Sequence, residues 1–355
     1  MKTYKGKYRI VLSILAVMAS AIGVIAILSW MYVDPAYNNN GFSRKLENMQ
    51  IKLVNAIPKD PGIIQVCDMD EEHLYFKTRV PGLILQTDYH LNDQRILKYN
   101  VPRNTAIQST FSCFINGANL NLVSGNLPGE IIGSTFGAPV INKFKTAVFT
   151  RVAKIPGNSY VFRGFDSTLK SIDQVFFKVN TGSGKISKEN NISKKYNDGG
   201  ISTDGMLHYD SKTNLLTYVY YYGNQFMVMD TNLNLVRTNN TIDTTSVYQV
   251  TAGGVQATNQ LQTLTNVTPK RTINASNCVW NGKLYNYSTL KAENESKDAF
   301  SNNSPIDVYD IKTGKYEYSF YIPAYKSERS KHFKVMNNQL IAIYQSNIVC
   351  YQLNF

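Results

Sequence analysis

The sequence predicts an all-β fold, a six-bladed β-propeller that is closed by an N-terminal strand and preceded by one N-terminal transmembrane helix. Three observations predict it: an uncharged apolar run at residues 10–33, a strand–turn–strand phrase that recurs six times, and an unpaired strand at each end of the repeats. With 355 residues and 43% hydrophobic content, the chain can fill a large core.

The apolar run at residues 10–33 is the predicted transmembrane element. It contains 24 uncharged residues, and a helix needs ~20 residues to cross a bilayer. The small residues Ala19, Ser20 and Ala21 resemble a signal-peptidase site, but cleavage there would leave twelve apolar residues at the new N-terminus. We therefore expect a retained anchor. Four basic residues within residues 1–9 place this tail in the cytoplasm and the rest of the chain outside.

Six copies of one strand–turn–strand phrase follow the anchor. Each copy has alternating apolar residues on both sides of a turn rich in Asn, Asp or Gly, which tolerate the positive φ of short hairpins. The copies span residues 63–79, 109–124, 147–164, 205–222, 275–290 and 331–346. Their second strands recur about every 53 residues, which is close to the ~40–50 residues of a propeller blade.

A second hairpin completes most of the repeats. It is present at residues 83–100, 175–190, 226–239 and 306–320, whereas the second repeat keeps only a degraded pattern at 128–136. Each blade is therefore expected to hold four antiparallel strands. The last repeat has only three, which end at 347–355, and the lone strand at 49–57 is expected to supply the fourth and close the ring.

Two β-sandwiches are the alternative fold, because they also contain many short strands and turns. They explain neither the recurring hairpin order nor the unpaired strand at each end, so we favour the propeller. The chain resembles NHL-like six-bladed β-propeller proteins that are carried on an N-terminal membrane anchor and occur, with unknown function, in the envelopes of Gram-negative bacteria. The resemblance covers roughly residues 45–355 and rests on the repeats, since no blade signature motif is present.

The resemblance and the charge pattern together divide the chain into four parts. Residues 1–9 form a cytoplasmic basic tail, 10–33 the transmembrane helix (a signal anchor), 34–46 a linker and 47–355 the propeller domain. The expected location is the bacterial inner membrane, crossed once, with the N-terminus in the cytoplasm and the propeller in the periplasm. The exported part carries 33 basic and 25 acidic residues, and this excess suits anionic partners.

Linear motifs of catalysis are missing. The four histidines are widely separated, and no nucleophile elbow, Walker loop or dinucleotide fingerprint occurs, so we expect no cofactor and name no catalytic residue. The sequence favours a binding protein over an enzyme but leaves a metal site open. Propeller lactonases hold a metal with scattered Asp, Asn and Glu side chains at the axis, and such ligands leave no motif.

Three of the four cysteines occupy equivalent places. Cys67, Cys113 and Cys278 each lie three residues before a turn residue on the first strand of their repeats, and Cys350 lies on the final strand. A bridge needs Cα atoms within about 7 Å, and equivalent positions on neighbouring inner strands are expected to lie farther apart. We therefore expect reduced, buried thiols, while a disulfide in this exported protein stays open as the alternative.

Long connections gather on one face of the predicted ring. Turns within the hairpins are short, whereas connections from second to third strands and between blades hold nearly every long segment, including an uncharged Gln/Thr-rich insert at 246–267. Loops on a rigid scaffold commonly carry binding residues. We therefore predict that this face recognises acidic partners through four candidate residues, which are Arg79, Arg163, Arg271 and Arg329.

The predicted function is a periplasm-facing binding or scaffolding propeller that recognises a protein, a peptide or an anionic ligand, and not a nucleic acid. A lactonase-type hydrolase with an axial metal and a structural envelope protein are the alternatives. The strand at 49–57 must begin at the short-turn face if it feeds the first blade at 58–62. We therefore expect the linker to arrive on that face and the long loops to point away from the membrane.

Overall fold

The structure is a computed structural model. It describes residues 2–31, 40–144, 148–165, 173–189, 191–196, 198–246, 252–256, 262–266 and 272–354. Helix α1 (Lys2–Met31) contains the apolar stretch Ile10–Trp30, which is not buried against other parts of the protein. An apolar helix of this length near the N-terminus is consistent with a single-pass anchor or a signal sequence.

The strands form six four-stranded antiparallel sheets, which are the blades of a propeller, so the predicted fold is confirmed. Blade 1 contains β2 (Ile63–Met69), β3 (His73–Thr78), β4 (Leu83–Asp88) and β5 (Arg95–Lys98). Blade 2 contains β6 (Ser112–Asn116), β7 (Asn119–Val123), β8 (Gly129–Ser134) and β9 (Val140–Lys143). Blade 3 contains β10 (Phe149–Ile155), β11 (Ser159–Phe165), β12 (Gln174–Asn180) and β13 (Ile186–Lys188). Blade 4 contains β14 (Gly205–Asp210), β15 (Leu215–Tyr220), β16 (Gln225–Asp230) and β17 (Leu235–Asn240). Blade 5 contains β20 (Asn274–Trp280), β21 (Lys283–Ser288), β22 (Asn303–Asp310) and β23 (Tyr316–Pro323). Blade 6 contains β24 (His332–Met336), β25 (Gln339–Ile343), β26 (Asn347–Asn354) and β1 (Gln50–Pro58).

The core is divided among the junctions between blades. Among the described residues, six apolar clusters each join side chains of two adjacent blades. Second strands such as β15 are buried along almost their whole length, because neighbouring blades cover both of their faces. Fourth strands such as β17 lie at the rim and keep exposed residues. This arrangement explains why the Leu- and Tyr-rich phrase recurs, since every second strand meets the same surroundings.

Ring closure by the N-terminal strand is confirmed. Strand β1 pairs antiparallel with β26, from Gln50 opposite Asn354 to Pro58 opposite Asn347. This pairing completes blade 6 with a strand from the other end of the chain. It also gives β26 a partner on the side that would otherwise be an open edge.

The second hairpin of blade 2 is complete, although its sequence pattern is degraded. Strand β8 pairs with β7 from Glu130 to Ser134 and with β9 from Gly129 to Ile132. Its alternation is obscured because it carries the buried Glu130 and the glycines Gly129 and Gly133. A Cβ at Gly129 would lie 2.1 Å from the Asn142 carbonyl oxygen, so glycine is needed for close strand approach there.

Residues 40–46, interpreted above as linker, pack against blade 5. The Thr244 hydroxyl donates to the Asn40 carbonyl (2.6 Å), and the Asn40 side chain donates to the Lys291 carbonyl (3.0 Å). Both partners lie in long connections, so the chain enters on the long-loop side. The expectation that it arrives on the short-turn face is therefore wrong. It fails because residues 40–47 first bind blade 5 and bridge its outer strand, at Leu46 and Ser319, before β1 begins.

Candidate anion-binding site on the long-loop face

The two faces of the ring differ in their connections. We define the long-loop face by the segments that join second to third strands and one blade to the next, and the short-loop face by the turns inside the hairpins. The turn between β6 and β7 contains only residues 117–118, whereas residues 289–302 join β21 to β22 and include helix α2 (Lys297–Ser301). The predicted asymmetry between the faces is therefore confirmed.

The Gln/Thr-rich insert at 246–267 lies in the connection between blades 4 and 5. Two short strands occur there, β18 (Ala252–Gln256) and β19 (Gln262–Asn266). They pair antiparallel as a separate two-stranded sheet. The insert therefore contains a strand pair.

Arg163 is buried, which corrects the expectation that it is an exposed rim residue. Its side chain has no exposed surface. It donates to the Ser193 hydroxyl (2.7 Å) and the Thr203 hydroxyl (2.9 Å), and it lies over the rings of Phe176 and Tyr218 at 4.7 and 5.0 Å. Because the blade 3–4 connection covers it, Arg163 stabilises that connection and offers no surface to a partner.

The other three predicted residues have different fates. Arg271 lies outside the described residues. Arg79 is exposed in the connection between β3 and β4, where its backbone N–H donates to the Gly62 carbonyl (2.8 Å). Arg329 is half-buried in the connection between blades 5 and 6. The structure therefore brings Arg79 and Arg329 to the long-loop face on either side of blade 6.

Arg329 has an unusual setting for a guanidinium. It lies over the Phe300 ring (4.8 Å) and the Tyr287 ring (5.6 Å), contacts that stabilise the cation through its attraction to the ring faces. Its Nε and Nη2 atoms are buried and have no hydrogen-bond partner in the described structure. Buried donors are normally paired, so unpaired ones indicate a group that is not fully satisfied in the free protein.

Two lysines, Lys59 and Lys331, lie between Arg329 and Arg79 on the long-loop face. The Lys331 N–H donates to the Ile343 carbonyl and the Lys59 N–H donates to the Ser346 carbonyl (2.8 and 2.9 Å), so these lysines flank the loop between β25 and β26. Burial and then the charges of Lys331 and Arg79 lower the pKa of Lys59. We call Lys59, Arg79, Arg329 and Lys331 the basic arc. Sequence analysis missed Lys59, because Arg79 and Lys331 come close to it only when the propeller ring closes.

Two carboxylates lie near the basic arc, but both are engaged in the backbone around them. Asp60 accepts from the Gly62 N–H (2.6 Å). Glu328 accepts from the Ser346 N–H (3.0 Å) and the Ser346 hydroxyl (2.8 Å), and these bonds lower its pKa. Neither carboxylate lies within 4 Å of a cation of the arc among the described ion pairs. The arc therefore keeps positive charge available to an anion.

The propeller axis carries a mixed set of polar side chains from the inner strands. His208 Nε2 lies 2.6 Å from Asn277 Oδ1, and burial followed by the charge of Lys334 lowers the pKa of His208 to about 4. Lys154 and Lys334 also act on Asp68, whose pKa is raised by burial despite them. Within the described ranges, no three His, Cys, Asp and Glu side chains are grouped as metal ligands.

The cysteines occupy the strands that the spacing predicts. Cys67, Cys113 and Cys278 lie on β2, β6 and β20, Cys350 lies on β26, and all four are free. Cys67 Sγ donates to the Tyr75 carbonyl (3.4 Å), and Cys113 on the neighbouring inner strand is near enough to act electrostatically on the Cys67 thiol. Burial raises the pKa of Cys67, of Cys278 to about 11 and of Cys350 to about 12. These thiols are therefore protonated at neutral pH and poor nucleophiles.

Comparisons with known proteins found only distant structural likenesses. No known family model matches the chain, and no curated protein matches it significantly in sequence. A streptogramin B lyase structure is 11% identical over 88% of this chain and 100% of its own, with a TM-score of 0.47. A member of the DUF4221 family from Bacteroides vulgatus is 11% identical over 89% of this chain and 99% of its own, with a TM-score of 0.48. YCF48 bound to D1 peptide is 7% identical over 88% and 99%, with a TM-score of 0.47.

Proposed function

We propose that this protein is a membrane-anchored binding propeller whose basic arc receives an acidic segment of a partner protein. The observation that carries the proposal is Arg329, a half-buried guanidinium on an aromatic platform with two unpaired buried donors. A guanidinium can grip a carboxylate with two parallel hydrogen bonds, and a weakly hydrated cation over aromatic rings is well suited to binding it. Exposed Arg79 and the two lysines extend the same charge across blade 6.

The nature of the arc favours a segment with several carboxylates over a single small anion. Its four cations belong to three different connections, so they are spread along the surface. Lys59 has a lowered pKa partly because Lys331 and Arg79 repel its charge. A ligand with several negative charges relieves this repulsion at more than one position. Lys331 is exposed and donates to the Gln345 side chain, and Arg329 keeps part of its surface exposed, so both residues can be approached by an incoming carboxylate.

The proposed location is the periplasmic side of a bacterial inner membrane, with α1 as the anchor and its N-terminus in the cytoplasm. Asn40 binds the long-loop face, and nine peptide steps from Met31 reach at most roughly 30 Å. The basic arc is then tethered close to the membrane surface, contrary to the orientation expected from the sequence. The partner we propose is accordingly a membrane protein, or one held at the membrane, with an acidic exposed segment.

The direct test uses full-length protein in detergent and a fluorescein-labelled peptide of about ten glutamates, with fluorescence anisotropy as the readout. The arc variant is Arg79→Gln/Arg329→Gln/Lys331→Gln. The control variant removes three positive charges from exposed turns of the short-loop face, Lys185→Gln/Lys212→Gln/Lys312→Gln. We expect the arc variant to lose about tenfold or more in affinity, equivalent to about 1.4 kcal/mol, and the control to keep the affinity of the native protein.

Two further measurements separate recognition from general charge attraction. Arg329→Lys keeps the charge but removes the planar fork, so we expect weaker binding even though net charge is unchanged. Binding should also weaken as salt is raised, as it does for contacts between exposed charges. Equal losses in the arc and control variants would show that only net charge matters, and an unchanged affinity in the arc variant would place the binding surface elsewhere.

A further inference from the structure

A cavity of about 250 Å³, lined mostly by residues with polar side chains, lies at the junction of blades 2 and 3, on the short-loop face and therefore opposite the basic arc. Its rim includes Asn158 and Thr181, which lie in hairpin turns of blade 3, and Asn116, which ends β6 beside the first hairpin turn of blade 2. The inner strands β6 and β10 approach each other less closely than other neighbouring inner strands do. The cavity lies beside this junction, because Asn116 of β6 and Lys154 of β10 both line it.

Glu130 forms the polar floor of this cavity and is only 3% exposed. It accepts hydrogen bonds from the Asn121 amide (2.8 Å), the Asn142 amide (3.0 Å) and the Tyr160 hydroxyl (2.7 Å). Tyr160 comes from blade 3, and burial together with Glu130 raises its pKa, so it remains a donor at neutral pH. Three neutral donors hold the carboxylate in place, yet among the described ion pairs no cation lies within 4 Å of it.

Asn121 supplies a second, independent sign of an unfilled site. Its residue is 7% exposed, its amide nitrogen binds Glu130, and its Oδ1 atom is buried without any partner. An unpaired buried acceptor is destabilising, so its retention beside a buried carboxylate needs an explanation. Two acceptors that line one cavity, one of them charged, match a ligand that donates several hydrogen bonds and carries positive charge.

Lys154 provides the opposite charge on the same cavity wall. It is half-buried on β10, and in the described structure its Nζ makes no hydrogen bond and no ion pair within 4 Å. Its charge acts on the carboxyl of Asp68 at the axis, where it opposes the rise in pKa that burial causes. The cavity therefore presents separated acceptor and cationic groups, with Ile132 as an apolar part of its lining.

We infer that this cavity binds a free amino acid as a zwitterion, with the ammonium group at Glu130 and Asn121 Oδ1 and the carboxylate at Lys154. The volume supports a small ligand, because pockets for drug-sized molecules occupy about 300–1,000 Å³. A primary ammonium has three N–H donors, which the carboxylate and the unpaired amide oxygen can accept. The site lies on the other face from the basic arc and does not depend on the proposed function.

The test is isothermal titration of the full-length protein in detergent with glycine, 4-aminobutyrate and 6-aminohexanoate, which differ in the distance between their charges. Butylamine and butyrate serve as probes with a single charge. We expect at least one zwitterion to bind about tenfold or more tightly than either single-charge probe, since it uses both ends of the cavity. The inference is overturned if no zwitterion binds more tightly than both butylamine and butyrate. It is also overturned if none of the five compounds binds because the cavity holds only water.

Variants assign the two ends of the ligand. Glu130→Gln keeps the shape of the side chain, and we expect it to weaken the zwitterion and butylamine but not butyrate. Lys154→Gln should weaken the zwitterion and butyrate but not butylamine, while the exposed neighbour variant Lys185→Gln should change nothing. Lys154 is half-buried, so that variant carries the test if the Glu130 variant fails to fold. Unchanged zwitterion affinity in Lys154→Gln would overturn the inference.

Discussion

Replacement of Arg44 by methionine tests how residues 40–47 are held against blade 5. Arg44 is buried and joins residues 40–47 to blade 5: Nε and Nη2 donate to the Asp307 carboxylate (2.8 and 3.2 Å), and Nη1 donates to Glu295 and to the Leu290 carbonyl. Burial lowers the pKa of Arg44, but Asp307 and Glu295 outweigh that effect and raise it. The arginine is thus the common partner of two buried carboxylates.

The expected loss of stability is large because the substitution leaves both carboxylates without their cation. The side chains of Arg44 and Glu295 are fully buried and that of Asp307 is 1% exposed. Removal of one member of a buried ion pair typically costs about 3–5 kcal/mol. The neighbouring Lys45 forms an exposed pair with Glu47, with side-chain exposures of 68% and 47%, and such pairs contribute about 0–1 kcal/mol. Lys45→Met is therefore a matched control.

Urea unfolding followed by tryptophan fluorescence measures the difference. At a slope of roughly 3 kcal/mol per molar urea, Arg44→Met should lower the midpoint by about 1 M or more, and Lys45→Met by a few tenths of that. Equal urea midpoints for the two variants would refute the claim that the buried Arg44 ion pairs hold residues 40–47 against blade 5.

Four other predictions concern the ring and its buried groups. Deletion of residues 49–57 should expose the edge of β26 and cause aggregation that light scattering detects; a soluble monomer would contradict closure by β1. Arg163→Met should lower the melting temperature by several degrees because it removes two buried hydrogen bonds and the cation beside the carboxyl of Glu189. Exposed Arg79→Met should change stability by no more than ~0.5 kcal/mol, and similar melting temperatures for the two variants would contradict the difference in burial. The pKa of His208 is about 4 in the folded state and 6.5 in the unfolded chain, so the unfolded chain binds the proton first and stability should fall as the pH drops from 6.5 to 4. Thermal unfolding of His208→Gln should lack that part of the pH dependence. The four thiols should react with a thiol reagent only on unfolding, and a Cys67–Cys113 bridge in non-reducing peptide mapping would show instead that these neighbours oxidise.

The sequence by itself determined the number of blades, the order of their strands and the closing role of residues 49–57. These features depend on alternation of apolar residues and on turn residues, which are local properties that repeat along the chain. The separation of short and long connections onto two faces followed from the same strand order. The degraded second hairpin of blade 2 marks the limit of this reasoning, because buried Glu130 and two close-packed glycines interrupt the pattern in β8.

Only the tertiary structure decided which polar side chains are buried, paired or free. Sequence analysis assigned Arg163 and Arg329 to the same binding face, yet Arg163 is enclosed by the blade 3–4 connection whereas Arg329 remains half-buried on two aromatic rings. Likewise, Lys59 acquires its neighbours only when the ring closes, and Arg44 finds its carboxylates about 250 residues away. Burial and charge pairing depend on contacts between distant segments, and a linear pattern carries no record of those contacts.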